Sequence, residues 1–391
     1  MNKLFALVGI IVFVFIGYLL SKDKKNIKWK SVGIAFVSQF ILTFLMIKTP
    51  LWKVVQWISR GVEWLIAQSQ EGINFVFGGL IPEGGFVFFI NSLLPIVFVS
   101  GVVGILFHFG VLQIIVKYIA KFIARFFDVD PLVALNSCAN MFLGQTDSLF
   151  ISKSYLPKAS DSVVFATLVG GMSSIAVTVT GLYVSSGAIM EYLIISMPLS
   201  IFSSLVMCQL IMPTRYTGDE IEVEDGDKGV NVIETAMNYS TAGFKSVVAI
   251  SVALMLFLSA IFMINNILGL IADGLTIQKI LGFVFYPFAL LMGTPMGEVG
   301  VVSEILATKF ATNEAVAYAM PAFASLSLQA RTAMSVALAG FAGLGSIGIM
   351  IGGYSVIAPN KVKTVAKLGF LSLVTATLVN ILSGAVIILF I

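Results

Sequence analysis

Two acidic residues lie inside apolar, membrane-length stretches of the sequence. Asp147 ends the segment 140–147, Asn-Met-Phe-Leu-Gly-Gln-Thr-Asp, and Glu314 lies in the segment 307–318. A carboxylate at bilayer depth costs about 2.5–3.5 kcal/mol on insertion scales, so it is kept mainly where it faces a polar cavity. Both residues therefore predict a site that handles a solute or an ion within a membrane.

The side chains next to these carboxylates are rich in hydrogen-bonding groups. After Gly144, which permits a tight reversal, the segment 145–147 offers an amide, a hydroxyl and a carboxylate at one point. Asn313–Glu314 is a similar amide and carboxylate pair. An amide both donates to and accepts from a planar heterocycle, and an ionised carboxylate accepts strong hydrogen bonds from sugar hydroxyls. The alternative for the first group is a polar hairpin tip that only packs on a neighbouring helix.

The composition is that of a polytopic membrane protein. Hydrophobic residues make up 58% of the 391 residues and charged residues 11%, whereas a soluble domain has about 25% charged residues. The mean hydropathy is +1.02. A net charge of +3 is too small to suggest nucleic acid as a partner. Cys138 and Cys208 lack metal-ligand spacing and are expected in the core, and the absence of His-Glu-x-x-His and Gly-x-Ser-x-Gly motifs argues against an enzyme or a cofactor.

Windowed hydropathy, at about 20 residues per span, predicts an all-α fold with about eight transmembrane helices. The predicted spans are 4–20, 32–47, 86–110, 162–185, 188–212, 246–271, 323–357 and 366–390. The first run is interpreted as a retained span because it lacks a clear basic region and a small-residue cleavage site. Helical spacing of charge and tryptophan predicts two further helices that lie at the membrane surface, over 113–127 and 51–67.

Charge in the loops predicts the orientation. The loop 21–30 has five lysines and one aspartate, which places it in the cytoplasm. The N-terminus is then outside, and eight spans return the C-terminus outside as well. The loop 361–367 is a second lysine-rich loop expected inside. The segment 215–234 is predicted to be a solvated cytoplasmic linker, and its acidic residues are Asp219, Glu220, Glu222, Glu224, Asp225, Asp227 and Glu234.

The two halves of the sequence resemble each other. The segment 174–181 aligns without gaps on 346–353, and each copy follows an acid-bearing stretch too interrupted for a plain span, at 131–157 and 279–321. The span count makes these stretches enter from opposite sides. An inverted repeat with two re-entrant helical hairpins is typical of secondary transporters. The predicted division is scaffold spans 1–3 at 1–130, first hairpin and spans 4–5 at 131–212, linker and interfacial helix at 213–245, and span 6, second hairpin and spans 7–8 at 246–391.

Several motifs resemble those of the concentrative nucleoside transporters, over most of the chain. They are 71–78, 140–147, 170–175, 286–293 and 307–318, the last being close to the family pattern of Gly or Ala, any residue, Lys, three residues and Asn-Glu-Phe-Val-Ala-Tyr. The resemblance implies a homotrimer in the plasma membrane. It also implies that each protomer has eight spans and two re-entrant hairpins and imports nucleosides on a cation gradient.

The resemblance also assigns site residues. The base contacts of the family fall on Gln145, Thr146 and Asp147, with Val179 nearby. The ribose contacts fall on Glu314, Phe341 and Ser346. The sodium site of sodium-coupled members falls on Asn140, Leu143, Ser174 and Ile175, with Leu143 and Ile175 contributing main-chain carbonyls.

The sequence departs from the family pattern at three positions. Asp147 stands where Glu is usual, Ala315 where Phe is usual, and Gly343 where an Asn that reaches the ribose is expected. A site without a hydrogen-bond partner for a sugar hydroxyl discriminates only weakly against a nucleoside that lacks that hydroxyl. We therefore expect weak discrimination against deoxynucleosides, and a stronger preference for ribose in Gly343→Asn if the helix tolerates the side chain.

Three mechanisms remain open at this point. The retained Asn140 and Ser174 favour a sodium-driven nucleoside symporter in which the hairpin-bearing repeat moves against a fixed scaffold. Proton coupling through Asp147 or Glu314 is the alternative within the same fold. A passive channel for small polar solutes is the alternative from another class, although paired broken helices with a closed amide and carboxylate site favour stoichiometric binding.

Overall fold

A computed structural model describes residues 1–80, 85–218, 221–224 and 228–391. Within these ranges the regular secondary structure is helical, which confirms the predicted all-α class. Seven helical segments among the described residues are long and apolar enough to cross a membrane. The protein is thus a multi-pass membrane protein.

The first part of the chain supplies three membrane-length helical segments, Asn2–Leu19, Trp29–Lys48 and Phe89–His108, and two amphipathic helices. Its helices are α1 (Asn2–Leu19), α2 (Trp29–Lys48), α3 (Leu51–Phe77), α4 (Pro95–His108) and α5 (Val111–Phe126). A short π-helical stretch, Phe89–Leu93, leads into α4. Helices α3 and α5 cover the two segments predicted at the membrane surface, and large apolar side chains such as Trp57 and Phe122 are exposed on them.

The middle of the chain forms a hairpin and a broken helix. Its helices are α6 (Pro131–Leu143), α7 (Asp147–Phe150), α8 (Asp161–Ser173), α9 (Thr180–Ser185) and α10 (Met190–Ile211). The chain leaves helical geometry after Ser173 and returns to it through a short 3₁₀ turn, Val177–Val179. We call residues 174–176 the first break. Extended backbone there leaves carbonyl groups without the helical hydrogen bonds that would otherwise satisfy them.

The last part repeats this order of elements. Its helices are α11 (Val232–Gly269), α12 (Ile277–Leu291), α13 (Val299–Ala311), α14 (Glu314–Ala319), α15 (Pro321–Ala324), α16 (Leu328–Ala337), α17 (Leu344–Ile357) and α18 (Val362–Phe390). Helices α13 and α14 correspond to α6 and α7, and α16 and α17 correspond to α8 and α9. We call residues 338–343, between α16 and α17, the second break.

Helices α4 and α11 pack closely through small residues. A Cβ on Gly101 would lie 2.4 Å from Ser240 Oγ, and one on Gly104 would lie 2.7 Å from the Tyr239 side chain. A Cβ on Gly243 would lie 2.6 Å from Ser100 Oγ. Such small-residue contacts let two helix backbones approach in a membrane, where there is little hydrophobic gain from association. The α4 and α11 pair therefore forms one stiff unit.

Hydrogen bonds gather the base of the first hairpin and several loops at one end of the molecule. Lys28 Nζ donates to the Asp128 carbonyl at 3.2 Å, and Tyr216 N donates to the Asp128 carboxylate at 3.2 Å. Asn360 Nδ2 donates to Pro157 O at 2.8 Å. Burial raises the pKa of Asp128, but hydrogen bonds from Lys28 and Tyr216 outweigh it and hold the pKa below its ordinary value.

The opposite end gathers both chain termini and the base of the second hairpin. Asn2 Nδ2 donates to Gln329 Oε1 at 3.0 Å, next to the start of α16. Lys3 Nζ reaches Leu389 O at 3.4 Å, near the end of α18. Glu298, directly before α13, accepts from Ser327 N at 2.6 Å. The two hairpins thus start from opposite ends of the molecule.

Three predictions need correction. The continuous span over 323–357 is wrong, because the chain is interrupted at 325–327 and again at the second break. The separate interfacial helix within 213–245 is also wrong, since α11 runs without interruption from Val232 to Gly269. The gapless pairing of 174–181 with 346–353 does not match the elements, because Ser174 follows α8 whereas Ser346 lies inside α17. Of the predicted acidic linker, Asp219, Glu220, Asp225 and Asp227 lie outside the described residues.

Candidate functional site

A cavity of about 480 Å³ lies between the hairpin tips, the two broken helices and the α4 and α11 pair. Its volume is within the range typical of small-molecule sites. It is lined by every residue that was assigned to substrate, namely Gln145, Thr146, Asp147, Val179, Glu314, Phe341 and Ser346. The structure therefore brings together residues that are up to two hundred positions apart in the sequence.

The first hairpin contributes its tip to this cavity. Helix α6 ends at Leu143, and Gly144 has a φ of +90°, a conformation that other residues rarely adopt. The reversal places Gln145 and Thr146 directly before α7. Gln145 is buried, and its Oε1 has no hydrogen-bond partner among the described residues. An unpaired amide oxygen at a cavity wall is a ready acceptor for a donor on a bound solute, because leaving it unpaired is costly.

The second hairpin contributes Glu314. Asn313 caps α14 by accepting from Val316 N at 2.9 Å, so Glu314 becomes the first residue of that helix, where a negative charge is favoured. Glu314 is only 7% exposed. The Tyr183 hydroxyl donates to Glu314 Oε1 at 3.0 Å, and its ring stacks on Tyr318 with a centroid distance of 4.5 Å. The carboxylate is therefore held in one orientation at the cavity wall.

The second break and the first turn of α17 supply the other two residues of this side. Phe341 lies within the break, and the Ser346 hydroxyl donates to the Phe341 carbonyl. Gly343 does not line the cavity. A Cβ at position 343 would lie 2.2 Å from Thr312 O, which is main chain and cannot turn away. The expectation that an Asn at this position reaches the sugar is therefore not supported, because the site has no room for a side chain.

The residues assigned to sodium lie beside the cavity, around the first break. Asn140 is fully buried, and its Nδ2 donates to Gly170 O at 3.3 Å and to Gly171 O at 3.2 Å, while its Oδ1 has no partner among the described residues. Ser174 Oγ lies 3.3 Å from Ile175 O. Leu143 lines the cavity itself. A hard cation takes amide, hydroxyl and main-chain oxygens of this kind, so the donor set fits sodium.

Sequence reasoning missed the wall opposite the hairpins. Helices α4 and α11 line the cavity with Ser100, Tyr239, Lys245, Ser246 and Phe257. One signal was available, because Lys245 is a charged residue within a 38-residue apolar helix, and charges at such depth usually face a cavity. Among the described residues, no carboxylate forms an ion pair with Lys245.

Comparison with known protein families assigns nearly the whole chain. Residues 192–387 match the family described as Na⁺ dependent nucleoside transporter C-terminus, and residues 8–80 match its N-terminus. Residues 89–190 match the family described as nucleoside recognition. The chain belongs to the concentrative nucleoside transporter family. It is a nucleoside transporter and not an enzyme.

Individual relatives of this transporter agree over the full length. The uncharacterized transporter YutK of Bacillus subtilis is 30% identical, with 99% of each chain covered. The purine nucleoside transport protein NupG of the same organism is also 30% identical, with 100% of each chain covered. An inward-facing, substrate-bound structure of CNTnw is 32% identical and superposes with a TM-score of 0.91, over 100% of this chain and 98% of that one.

Proposed function

We propose that this transporter is a symporter that imports nucleosides on a sodium gradient. The observation that carries sodium coupling is Asn140 Oδ1, a buried oxygen that has no partner among the residues that the structure describes, beside the carbonyls of the first break. A bound cation would satisfy this oxygen, which is otherwise costly to bury. The ion and the substrate cavity share Leu143 and the first hairpin tip, so binding of one ligand shapes the site of the other.

Within the cavity, we assign the base to the first hairpin and the sugar to the second half. Gln145, Thr146 and Asp147 offer donors and acceptors for a heterocycle, with Val179 as an apolar contact. Glu314 accepts from sugar hydroxyls, and Phe341 and Ser346 border the same space. The hydroxyl of Ser346 already bonds to Phe341 O, so its contact with the sugar is made by the hydroxyl oxygen as an acceptor.

Alternating access follows from the difference between the two sides of the cavity. The α4 and α11 pair is packed through glycines and forms the stiff side. The hairpin tips and the broken helices form the other side, and they are the elements that we propose to move as a body between the two faces of the membrane. Such motion is the general mode of transporters built from broken helices.

The direct test is transport by purified protein in proteoliposomes. With an imposed sodium gradient and no pH gradient, we expect the vesicles to concentrate labelled inosine or uridine. Accumulation on a pH gradient but not on a sodium gradient would instead establish proton coupling, for which Asp147 and Glu314 are the carboxylates that line the cavity. Counterflow separates both from a passive channel, because a channel shows no acceleration by unlabelled nucleoside on the far side.

We also propose that the lysine-rich end of the molecule faces the cytoplasm, with both termini outside, and that the protein is a homotrimer. The support for the orientation is the positive-inside rule, together with the observation that the loops of Lys28 and Asn360 lie at the same end of the molecule. Labelling of single cysteines at Lys25 and Gly297 with an impermeant reagent in intact cells tests the orientation. Only the cysteine at 297 should react before the membrane is opened. Native mass spectrometry tests the trimer.

A further inference from the structure

The two helix breaks meet at one buried point. Asn380 of α18 donates from Nδ2 to Ser173 O at 2.7 Å, at the end of α8. It accepts at Oδ1 from Lys309 Nζ of α13 at 2.7 Å. A Cβ on Gly340, in the second break, would lie 2.5 Å from Asn380 Oδ1 and 2.8 Å from Ser173 O. We call Ser173, Lys309, Gly340 and Asn380 the break junction.

The orientation of the Asn380 amide follows from its neighbours. Lys309 Nζ has only donors and a carbonyl oxygen has only acceptors, so the amide oxygen must face Lys309 and the amide nitrogen must face Ser173. Asn380 is 1% exposed, so water does not replace either bond cheaply.

The amine of Lys309 lies at the second break, in a position that corresponds to the proposed ion site at the first break. Its Nζ donates to Ala337 O at 2.9 Å, the carbonyl of the last residue of α16. Among the described residues no carboxylate lies within ion-pair distance of Lys309, which is 2% exposed. The carboxyl end of a helix favours a cation. The second break is therefore occupied by an amine that is covalently attached to the protein.

The junction connects the proposed ion site to the proposed sugar site. Ser173 directly precedes Ser174, and Lys309 lies on α13, five residues before Glu314 in the sequence. Any change in the direction of the Ser173 carbonyl when an ion binds at the first break changes its bond with Asn380, and thereby the bond of Asn380 with Lys309. The Ser173 hydroxyl is buried without a partner among the described residues, so the segment has a polar group available for such a rearrangement.

We propose that Asn380 and Lys309 are positioning residues that transmit occupancy of the ion site to the hairpin that carries Glu314. This inference rests on the proposed sodium coupling. Neither residue lines the nucleoside cavity, so their effect acts through other residues. The quantity that reports it is the ratio of nucleoside affinities measured with sodium and with choline, since that ratio is the coupling between the two ligands.

The experiment is titration calorimetry of purified protein with inosine and with uridine, in sodium and in choline. We expect sodium to strengthen binding by roughly tenfold or more in the wild type, and by less than about threefold in Asn380→Asp. The aspartate keeps the acceptor for Lys309 but cannot donate to Ser173 O. Gly340→Ala should give the same loss, because its Cβ displaces the Asn380 amide. Nucleoside affinity in choline should change little in both variants.

Thr377→Val is the matched control. Thr377 lies on the same helix as Asn380 and is buried, and its hydroxyl donates only within the helix, to Leu373 O at 2.9 Å. Its removal should keep the wild-type ratio. A wild-type affinity that does not respond to sodium would overturn sodium coupling and this proposal together. A wild-type ratio in folded Asn380→Asp or Gly340→Ala would overturn the junction alone.

Hydrogen–deuterium exchange on the wild type tests the same idea without a variant. Sodium without nucleoside should slow exchange at the first break and also in residues 309–319 of the second hairpin. A protective effect that stays within residues 140–143 and 170–176 would show that the junction transmits nothing.

Discussion

At the end of α8 a buried amide oxygen, Asn140 Oδ1, has no partner among the described residues, whereas at the end of α16 the amine of Lys309 bonds to Ala337 O. The two breaks have the same place in the order of elements. A site of neutral oxygens exchanges a free cation, and a site that holds a lysine does not. The repeated architecture thus provides one break with buried oxygens available to a free cation and one break that is already occupied by a lysine amine.

The two hairpins also differ from each other, in parallel with the two breaks. The tip of the first hairpin shares Leu143 with the proposed ion site, while the second places Glu314 in the cavity with Tyr183 as its donor. We infer that the first half responds to the ion and the second half holds the sugar. Four substitutions test this separation of roles.

Glu314→Gln is expected to have the largest effect. The amide keeps the shape of the side chain but loses charge-assisted bonds worth about 1.5–3 kcal/mol, so nucleoside uptake should fall at least tenfold. The affinity for sodium, measured in the absence of nucleoside, should not change, because Glu314 is not among the proposed ion ligands. The control is Glu304→Gln on α13, an acid of the same hairpin that does not line the cavity. A shift in the nucleoside-free sodium affinity of Glu314→Gln would contradict the separation of the two halves.

Gly343→Ala tests how tightly the second break is packed. Its Cβ would lie 2.2 Å from Thr312 O, so the protein should lose about 1–3 kcal/mol of stability together with transport. Gly348→Ala, within the helix α17 that follows Gly343 and with nothing within 4 Å of the added Cβ, should be neutral or slightly stabilising. The measurement is thermal unfolding of both variants. Equal melting temperatures for Gly343→Ala and Gly348→Ala would show that the second break can relax around an added methyl group.

Asn140→Ala tests the first break. Loss of a cation ligand should raise the half-saturating sodium concentration about tenfold, which corresponds to a loss of about 1.4 kcal/mol in sodium binding. The order of preferred nucleosides should be unchanged. Asn136→Ala is the control, because Asn136 lies one turn earlier on α6 and bonds to Ser152 and Leu132 instead. It should lower stability without changing the sodium dependence. Reduced uptake at saturating sodium in Asn140→Ala would indicate a folding defect.

The hairpin tips could be predicted from sequence because their chemistry is local. Asp147 and Glu314 are costly in apolar segments, and Gly144 marks the reversal beside one of them. Family motifs then added Asn140 and Ser174. The two carboxylates stand out by residue type alone, whereas Asn140 and Ser174 needed the resemblance to the family.

The second break could not be predicted in the same way. A hydropathy window averages over residues 338–343 because Leu338, Phe341 and their neighbours are themselves apolar. What interrupts the helix is tertiary, since Gly340 packs on Asn380 and Gly343 packs on Thr312. The role of Lys309 is hidden for the same reason, because its partners Ala337 and Asn380 are distant in sequence.

The smallest expected effect distinguishes two adjacent serines at the first break. Ser174 Oγ lies 3.3 Å from Ile175 O, within the proposed cluster of ion ligands, whereas Ser173 contributes its carbonyl to Asn380 and has a hydroxyl without a partner among the described residues. A neutral hydroxyl contributes about 0.5–1.5 kcal/mol, and at the lower end of that range Ser174→Ala should raise the half-saturating sodium concentration about threefold.

Ser173→Ala keeps the main-chain carbonyl and removes only the unpartnered hydroxyl, so half-saturating sodium should stay within error of the wild type. The measurement is sodium-dependent uptake in proteoliposomes at fixed nucleoside, with both variants reconstituted at equal density. The opposite ranking would move the ion ligand from Ser174 to Ser173. The ion would then bind one residue closer to Asn380 and would act on the break junction directly rather than through the neighbouring peptide.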